Sequence, residues 1–176
     1  MIAIQEYQSP VGELLIGTHK DQIVLADWKY RKMRRSIDQR LQNQLDAAYV
    51  FEENNLQNLC IQQLQVYFAG KREKFDLPLN PVGTPFQKKV WQALQEIPYG
   101  KSMTYLSLSK KLGDVKAIRA VATANGANAI SILIPCHRIV GSDGSLVGYA
   151  GGLSAKKKLL QLEKCEIFNQ TELFKN

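Results

Sequence analysis

Hydrophobic positions in the first 28 residues follow the short period of β-strands. Ile2, Ile4 and Tyr7 alternate with polar neighbours, Ser9-Pro10-Val11-Gly12 carries turn chemistry, and 14–17 and 23–28 are short β-prone runs. A hairpin or meander is predicted. Residues 29–40 are densely basic and weakly periodic, which reads as a solvated loop or helix face. From 56 to 68 the period changes: Leu56, Leu59, Cys60, Leu64, Tyr67 and Phe68 fall at helical spacing, and Gly70 stands where a C-cap belongs. Cys60 lies on that apolar face and reads as core. The run 75–83 holds Pro78 and Pro81 and reads as an extended linker. The domain boundary is placed there, giving an α/β domain over 1–80, a second domain over 81–166 and a poorly ordered tail over 167–176.

The second half is helical in pattern. Thr84 is a natural N-cap with Pro85 at the first helical position, Phe86, Val90, Trp91, Leu94 and Ile97 form an apolar stripe, and Pro98-Tyr99-Gly100 ends it. A second helix is predicted from Thr104 to Gly113, carrying Tyr105, Leu108 and Leu112. A third runs over 116–125 with Ala117, Val121 and Ala124 on one side and Arg119 off that stripe. Two short helices about a tight Gly-containing turn outline a helix-turn-helix, and their small residues suit close approach to DNA or, equally, to another helix. An apolar, β-branched run over 130–140 then reads as a buried strand. Gly141-Ser142-Asp143-Gly144-Ser145 is a turn, 146–153 is rich in small residues that free backbone N–H groups for a flat ligand or simply for packing, and Ser154 caps a last helix to about Lys164. Glu163 falls four after Leu159 and three after Leu160, which reads either as an inward carboxylate in need of a partner such as histidine or as an exposed glutamate near a frayed helix end.

Charge changes this picture in one respect. The net charge is +7. Residues 1–80 carry ten Lys/Arg against ten Asp/Glu, while 81–176 carry thirteen against six, so the whole excess lies in the second half. A basic half suits a polyanion, although solubility alone also explains such a charge. At 45% hydrophobic and 22% charged residues the composition is that of a globular protein, and neither a membrane-spanning run nor a signal peptide is present, which points to the cytoplasm. Three widely spaced cysteines, Cys60, Cys136 and Cys165, form neither a disulfide framework nor an ordinary zinc site.

Candidate chemistry converges on Cys136. A thiol at the end of a buried strand is either inert packing or a positioned nucleophile. His137 and Arg138 follow at once and could lower its pKa. His137 is one of only two histidines, the other being His19, so any Cys/His chemistry falls to this pair.

Pro135-Cys136-His137-Arg138, within Ile-Leu-Ile-Pro-Cys-His-Arg-Ile-Val-Gly, resembles the active-site signature of the O6-alkylguanine-DNA alkyltransferases, the methylated-DNA–protein-cysteine methyltransferases. Thr84-Pro85-Phe86-Gln87 to Trp91, Ile97-Pro98-Tyr99-Gly100, Thr104-Tyr105, Lys116 to Val121, Asn128 and Gly148-Tyr149-Ala150-Gly151-Gly152-Leu153 occur in the family's order, as do Tyr67-Phe68-Ala69-Gly70 and Phe75-Asp76-Leu77-Pro78-Leu79. The similarity spans residues 1–165. It implies a ribonuclease H-like α/β N-terminal domain and a mainly α C-terminal domain with a winged-helix-like helix-turn-helix. It also implies a cofactor-free, metal-free monomer that binds alkylated double-stranded DNA through the minor groove. The protein would flip O6-methylguanine out of the stack and transfer the alkyl group irreversibly to itself, because the O6 edge of a stacked base is out of a thiolate's reach.

The resemblance also implies residue roles. Cys136 would be nucleophile and acceptor; with a free thiol only about 3% ionised at pH 7, it needs activation. His137 would reach it through a water, oriented by Glu163, since neighbours in an extended backbone point apart. Asn128 would brace the cysteine loop, and Tyr105 would donate to a ring nitrogen of the departing guanine. Carbonyls of Cys136 and Ile139 would accept from the exocyclic amine, the Ala150 N–H would donate to the modified oxygen, and Arg119 would fill the vacated stack. Ala120, Arg138 and Tyr149 complete the expected DNA- and base-contacting set. The chain departs from the common pattern at Ala122-Thr123, at Ala129 to Ser131 and at Ala150, which bears on bulky alkyl groups. Competing readings are a lesion sensor, which would lack the cysteine, a thiol hydrolase using Cys136 and His137, and a sequence-specific major-groove regulator.

Overall fold

The computed structural model describes residues 1–168. The opening alternation folds as a meander: β1 (Ile2–Ser9), β2 (Gly12–His19) and β3 (Gln22–Trp28) pair antiparallel in turn. After α1 (Arg34–Leu45), a short β4 (Tyr49–Phe51) joins parallel to β1, giving the sheet order β3-β2-β1-β4. Strand parity sends side chains to opposite faces. Ile2, Ile4, Leu15 and Leu25 pack against Ile37 and Leu41 of α1, while Leu14, Ile16, Ala26 and Trp28 face α2 (Asn55–Phe68) and the second half of the chain. Tyr7, an odd step from Ile4, sits on this second face and not in line with Ile2 and Ile4. A capping box closes α2, with Asn54 accepting from the Gln57 N–H and Gln57 returning the bond. The proline-rich run lies along β3, where the Ile23 N–H donates to Pro78 and the Asn80 N–H to Ile23, both at 2.8 Å.

α3 (Pro85–Gln95) begins as its sequence predicts, with Thr84 and Gln87 in a capping box and Pro85 at its first position. β5 (Met103–Thr104) leads into α4 (Tyr105–Lys111), capped by Thr104, whose hydroxyl accepts from the Ser107 N–H. Gly113, at φ 90°, turns the chain through a 3₁₀ segment (Val115–Ala117) into α5 (Ile118–Gly126). Trp91 of α3 donates its indole N–H to Ala124 at 2.8 Å and fixes α5 on the core.

Three expectations are corrected. The run 130–140 is not a strand. Ile130 makes one bridge to Ala26, 131–134 is a turn with Ile132 at φ 73°, Cys136–Arg138 is a 3₁₀ turn, and only β6 (Ile139–Val140) pairs, with β5. Side chains compete for the backbone here: the Asn128 Oδ1 takes the Ile130 N–H, and Pro135 has none to offer. The last helix, α6 (Leu153–Leu162), is not capped by Ser154, because Gly152 at φ 86° turns the chain into the helix two residues earlier. Of the expected tail, Ile167 and Phe168 pack against Val140, Leu160 and Cys165, and the remainder lies outside the described residues. No described helix is long and apolar enough to cross a membrane.

Candidate active site

Residues 127–140 are all buried, an unusual setting for a loop. Part of its backbone is satisfied from the N-terminal domain, by Ala26, Arg31 and Arg40. Arg31 Nη1 donates to the Asn128 carbonyl at 3.0 Å, Arg31 Nη2 to Gly126 at 2.5 Å, and Arg40 Nη2 to Ala127 at 2.8 Å, so two arginines cap the C-terminal end of α5. Asp27, fully buried, holds Arg31 at 2.7 Å and Arg34 at 3.0 Å and accepts from the Ser131 hydroxyl at 3.1 Å. The basic stretch is therefore not a solvated face throughout: Arg31, Arg34 and Arg40 are turned inward, and Lys32 and Arg35 remain exposed.

The loop holds Cys136 by its sulfur. Asn128 Nδ2 donates to Cys136 Sγ at 3.2 Å and to the Ile134 carbonyl at 3.0 Å. Burial pushes the thiol pKa up, against the pull of Asn128, so the sulfur is protonated in the free protein. His137 and Arg138 do not lower it, contrary to expectation, because the 3₁₀ turn points both away. A cavity of about 260 Å³ opens beside the sulfur, lined by Tyr105, Ala122, Asn125, Asn128, Tyr149 and Ala150 and rimmed by Arg31, Lys32 and Met33.

His137, fully buried, meets Glu163 at the end of α6, Nε2 to Oε1 at 2.7 Å. Arg138 grips the same carboxylate, Nε to Oε2 at 2.9 Å and Nη2 to Oε1 at 3.0 Å, and donates to the Ile97 carbonyl at 2.6 Å. Tyr67 of α2 donates its hydroxyl to Oε1 at 2.7 Å. Burial alone would raise the Glu163 pKa, but His137 and Arg138 outweigh it and hold the carboxyl down to about 2. Burial lowers the His137 pKa against the pull of Glu163, so the imidazole is neutral at pH 7 and Arg138 is the standing cation on the carboxylate. No described residue hydrogen-bonds His137 Nδ1.

The other expected residues divide. Tyr105, Tyr149 and Ala150 line the cavity; Tyr149 stacks edge-on against Trp28 at 5.0 Å. Ile139 is buried and donates its N–H to the Cys136 carbonyl. Arg119 and Ala120 are exposed on the first turn of α5. Arg138, 6% exposed and spent on Glu163 and Ile97, does not face the cavity.

Sequence reasoning missed Tyr67, Arg31, Asp27 and Lys156. Lys156 is fully buried, its ammonium donating to the Val147 carbonyl at 3.0 Å and the Gly148 carbonyl at 3.3 Å, and burial pushes its pKa down to about 8. Its signal was legible, since Lys156, Leu160 and Glu163 share one helical face. Nothing in the local sequence singles out the other three.

Comparison with known proteins gives two family matches: the ribonuclease-like domain of 6-O-methylguanine DNA methyltransferase over residues 3–81, and the DNA binding domain of the same family over 85–165. The methylated-DNA–protein-cysteine methyltransferase of Methanosarcina barkeri is 43% identical over 157 residues, covering 89% of this chain and 94% of its own. The constitutive enzyme of that name from Bacillus subtilis is 41% identical, covering 89% and 92%. The crystal structure of Mycobacterium tuberculosis OGT in complex with DNA superposes with a TM-score of 0.80 at 32% identity, covering 96% of this chain and 99% of that one.

Proposed function

The chain belongs to the 6-O-methylguanine DNA methyltransferase family, and from that premise we propose that Cys136 takes the methyl group of O6-methylguanine directly and irreversibly. The family activity, methylated-DNA–protein-cysteine methyltransferase, is direct-reversal repair of alkylated DNA, carried by a ribonuclease-like N-terminal domain and a DNA-binding C-terminal domain. The supporting observation is the placement of Cys136, its sulfur at the wall of a base-sized cavity and held by Asn128.

In this reading α4 and α5 form the helix-turn-helix, winged-helix-like in form, and present the small exposed residues Ala120 and Thr123 to the minor groove. Arg119, at the exposed start of α5, fills the space left by the flipped nucleotide. The base enters the cavity, where the Ala150 N–H meets the modified oxygen and the Tyr105 hydroxyl a ring nitrogen. The Cys136 and Ile139 carbonyls accept from the exocyclic amine, and Tyr149 walls the pocket. The thiol proton passes through a water to His137 Nδ1, with Glu163 fixing the imidazole. Arg138 acts here by holding Glu163 and not by touching DNA. Sulfur attacks the methyl carbon, the C–O bond breaks, and its electrons move onto the base. Tyr105 protonates the base and is re-protonated by the proton that left the thiol, so the products are a thioether and neutral guanine, with Tyr105 and His137 both uncharged. One monomer reacts once and needs no cofactor. The three buried free thiols suit a reducing compartment such as the cytoplasm.

The test is mass spectrometry of the protein after mixing with a duplex bearing one O6-methylguanine. The expected result is one methyl group on the Cys136 peptide, matched by equal loss of lesion. Methylation elsewhere, or none, would reject the assignment.

Lys156 yields a second prediction. Its ammonium anchors the loop that carries the Ala150 N–H. Lys156→Met keeps the bulk but drops the anchor, so transfer should slow by about tenfold or more, as for a misplaced reacting group. Stability should change little, because a cation without a carboxylate partner leaves the core. Transfer at the wild-type rate, with unchanged hydrogen exchange at 147–150, would refute it.

A further inference from the structure

The Glu163 carboxylate is the meeting point of both domains. Its Oε1 accepts from three donors: His137 Nε2, Arg138 Nη2 and the hydroxyl of Tyr67, which lies 96 positions earlier in the chain. We propose that Tyr67 is a positioning residue of the methyl transfer: its hydroxyl, supplied by the N-terminal domain, holds Glu163 Oε1 and so sets the tautomer and basicity of His137. This rests on the reading of Cys136, His137 and Glu163 above and extends it to a residue outside the C-terminal domain.

The direction of every bond in this cluster is determined. Glu163 is ionised, so it can only accept. Tyr67 is fully buried, which raises its hydroxyl pKa well above the ordinary value, so it remains a donor across the working pH range. His137 Nε2 must then carry its proton toward Oε1, which leaves Nδ1 as the imidazole's acceptor. That is the tautomer a base serving Cys136 requires.

The same hydroxyl also limits how strongly His137 holds a proton. Charge on Oε1 is shared among three donors, and each one reduces what is left to stabilise an imidazolium. Other groups facing His137 are Lys156 from α6, Arg138 from its own turn, and Tyr149 from the cavity loop. None of these hydrogen-bonds the Tyr67 hydroxyl, which goes to Glu163. Removing the hydroxyl therefore leaves Glu163 a stronger partner for the imidazolium and raises the pKa of His137.

Packing and hydrogen bonding are separable here. The Tyr67 ring rests against Phe68 and Phe75, each at 5.4 Å, and Tyr99 at 6.2 Å, and all three contacts survive in Tyr67→Phe. Tyr99→Phe is the matched control, since the Tyr99 hydroxyl donates at 3.3 Å to the backbone of Leu162 and not to the carboxylate.

The experiment compares the full-length wild type, Tyr67→Phe and Tyr99→Phe. Single-turnover transfer from an O6-methylguanine duplex is followed from about pH 5 to about pH 9, beside ¹⁵N-imidazole NMR. Two histidines make that spectrum assignable, with His19 as internal reference. Wild type should show His137 as the Nε2–H tautomer. In Tyr67→Phe its titration and the acid limb of the rate should move up by about half a pH unit, and the plateau rate should fall by about three- to tenfold. Duplex affinity should stay within about twofold, because no DNA-facing group changes. Tyr99→Phe should match wild type. A Tyr67→Phe protein with wild-type titration and profile overturns this inference while leaving the role of Cys136 intact. If the wild type places no methyl on Cys136, both readings fall. An Nδ1–H tautomer of His137 in the wild type overturns the proposal as well, whether or not Tyr67→Phe folds.

Discussion

Glutamine in place of Glu163 is expected to lower stability by several kcal/mol and methyl transfer by on the order of a hundredfold or more. The reason is the donor count. His137 Nε2, the Tyr67 hydroxyl, Arg138 Nε and Arg138 Nη2 all point at two oxygens. A carboxamide replaces one oxygen with a donor, so at least one N–H or O–H meets another N–H. Arg138, 6% exposed, also loses its counter-charge, and an unpaired buried ion typically costs about 3–5 kcal/mol. For a chain of this length that corresponds to a melting-point drop of about 6–15 °C. Activity falls separately, because no other described residue hydrogen-bonds the His137 ring. Differential scanning calorimetry and single-turnover transfer check the two halves. A variant melting within a degree or two of wild type and reacting at its rate would contradict the role given to Glu163.

The wild-type pH dependence follows with a definite sign. Glu163 sits at about 2 against an ordinary 4.5, so its folded pKa is depressed. Such a group contributes stability above its unfolded pKa and loses it as pH falls through the folded one. On the order of 3 kcal/mol should thus disappear between about pH 4.5 and 2, and Glu163→Gln should lack that part of the acid sensitivity.

Asp27→Ala is expected to be nearly as damaging, although the residue lies in the other domain from Cys136. Asp27 is fully buried and holds Arg31, Arg34 and Ser131 at once. Without it the Arg31 guanidinium, 3% exposed, is a buried cation with only carbonyl partners. The penalty is again about 3–5 kcal/mol. Arg31 binds the carbonyls of Gly126 and Asn128, and Asn128 holds the sulfur, so the damage should reach the site. Amide exchange over 126–134 should accelerate, Cys136 should react faster with small alkylating reagents, and repair of the duplex should slow. Unchanged exchange in that segment would show that the two domains are not coupled through Asp27.

Much of this protein is written locally. Thr84 and Pro85 mark the start of α3 and Thr104 that of α4, because a cap is a bond between a side chain and a backbone a few residues away. The inward turn of Glu163 is one of the two readings its spacing to Leu159 and Leu160 allows, and the lone Cys136-His137 pair, read with the motifs around it, points to the family and the reaction. The loop over 130–140 was not legible in the same way. Its apolar, β-branched residues say strand, yet Asn128, Ser131 and Pro135 divert the backbone into turns, and Asp27 completes the diversion from more than a hundred positions away. Arg31 and Arg40 look like solvent-facing charges in sequence because their carbonyl partners at the end of α5 are nearly ninety or more residues distant. Tyr67 looks like one more apolar position on a helical stripe. Periodicity and capping depend on neighbours within a turn or two, so the chain alone marks α2 to α6 as helices and Cys136 as the nucleophile candidate, while α1, weakly periodic and without a side-chain cap, stays open as loop or helix. The partners of buried polar groups depend on which distant segments meet, and so only the tertiary structure decided that the N-terminal domain holds both the cysteine loop and the carboxylate behind His137.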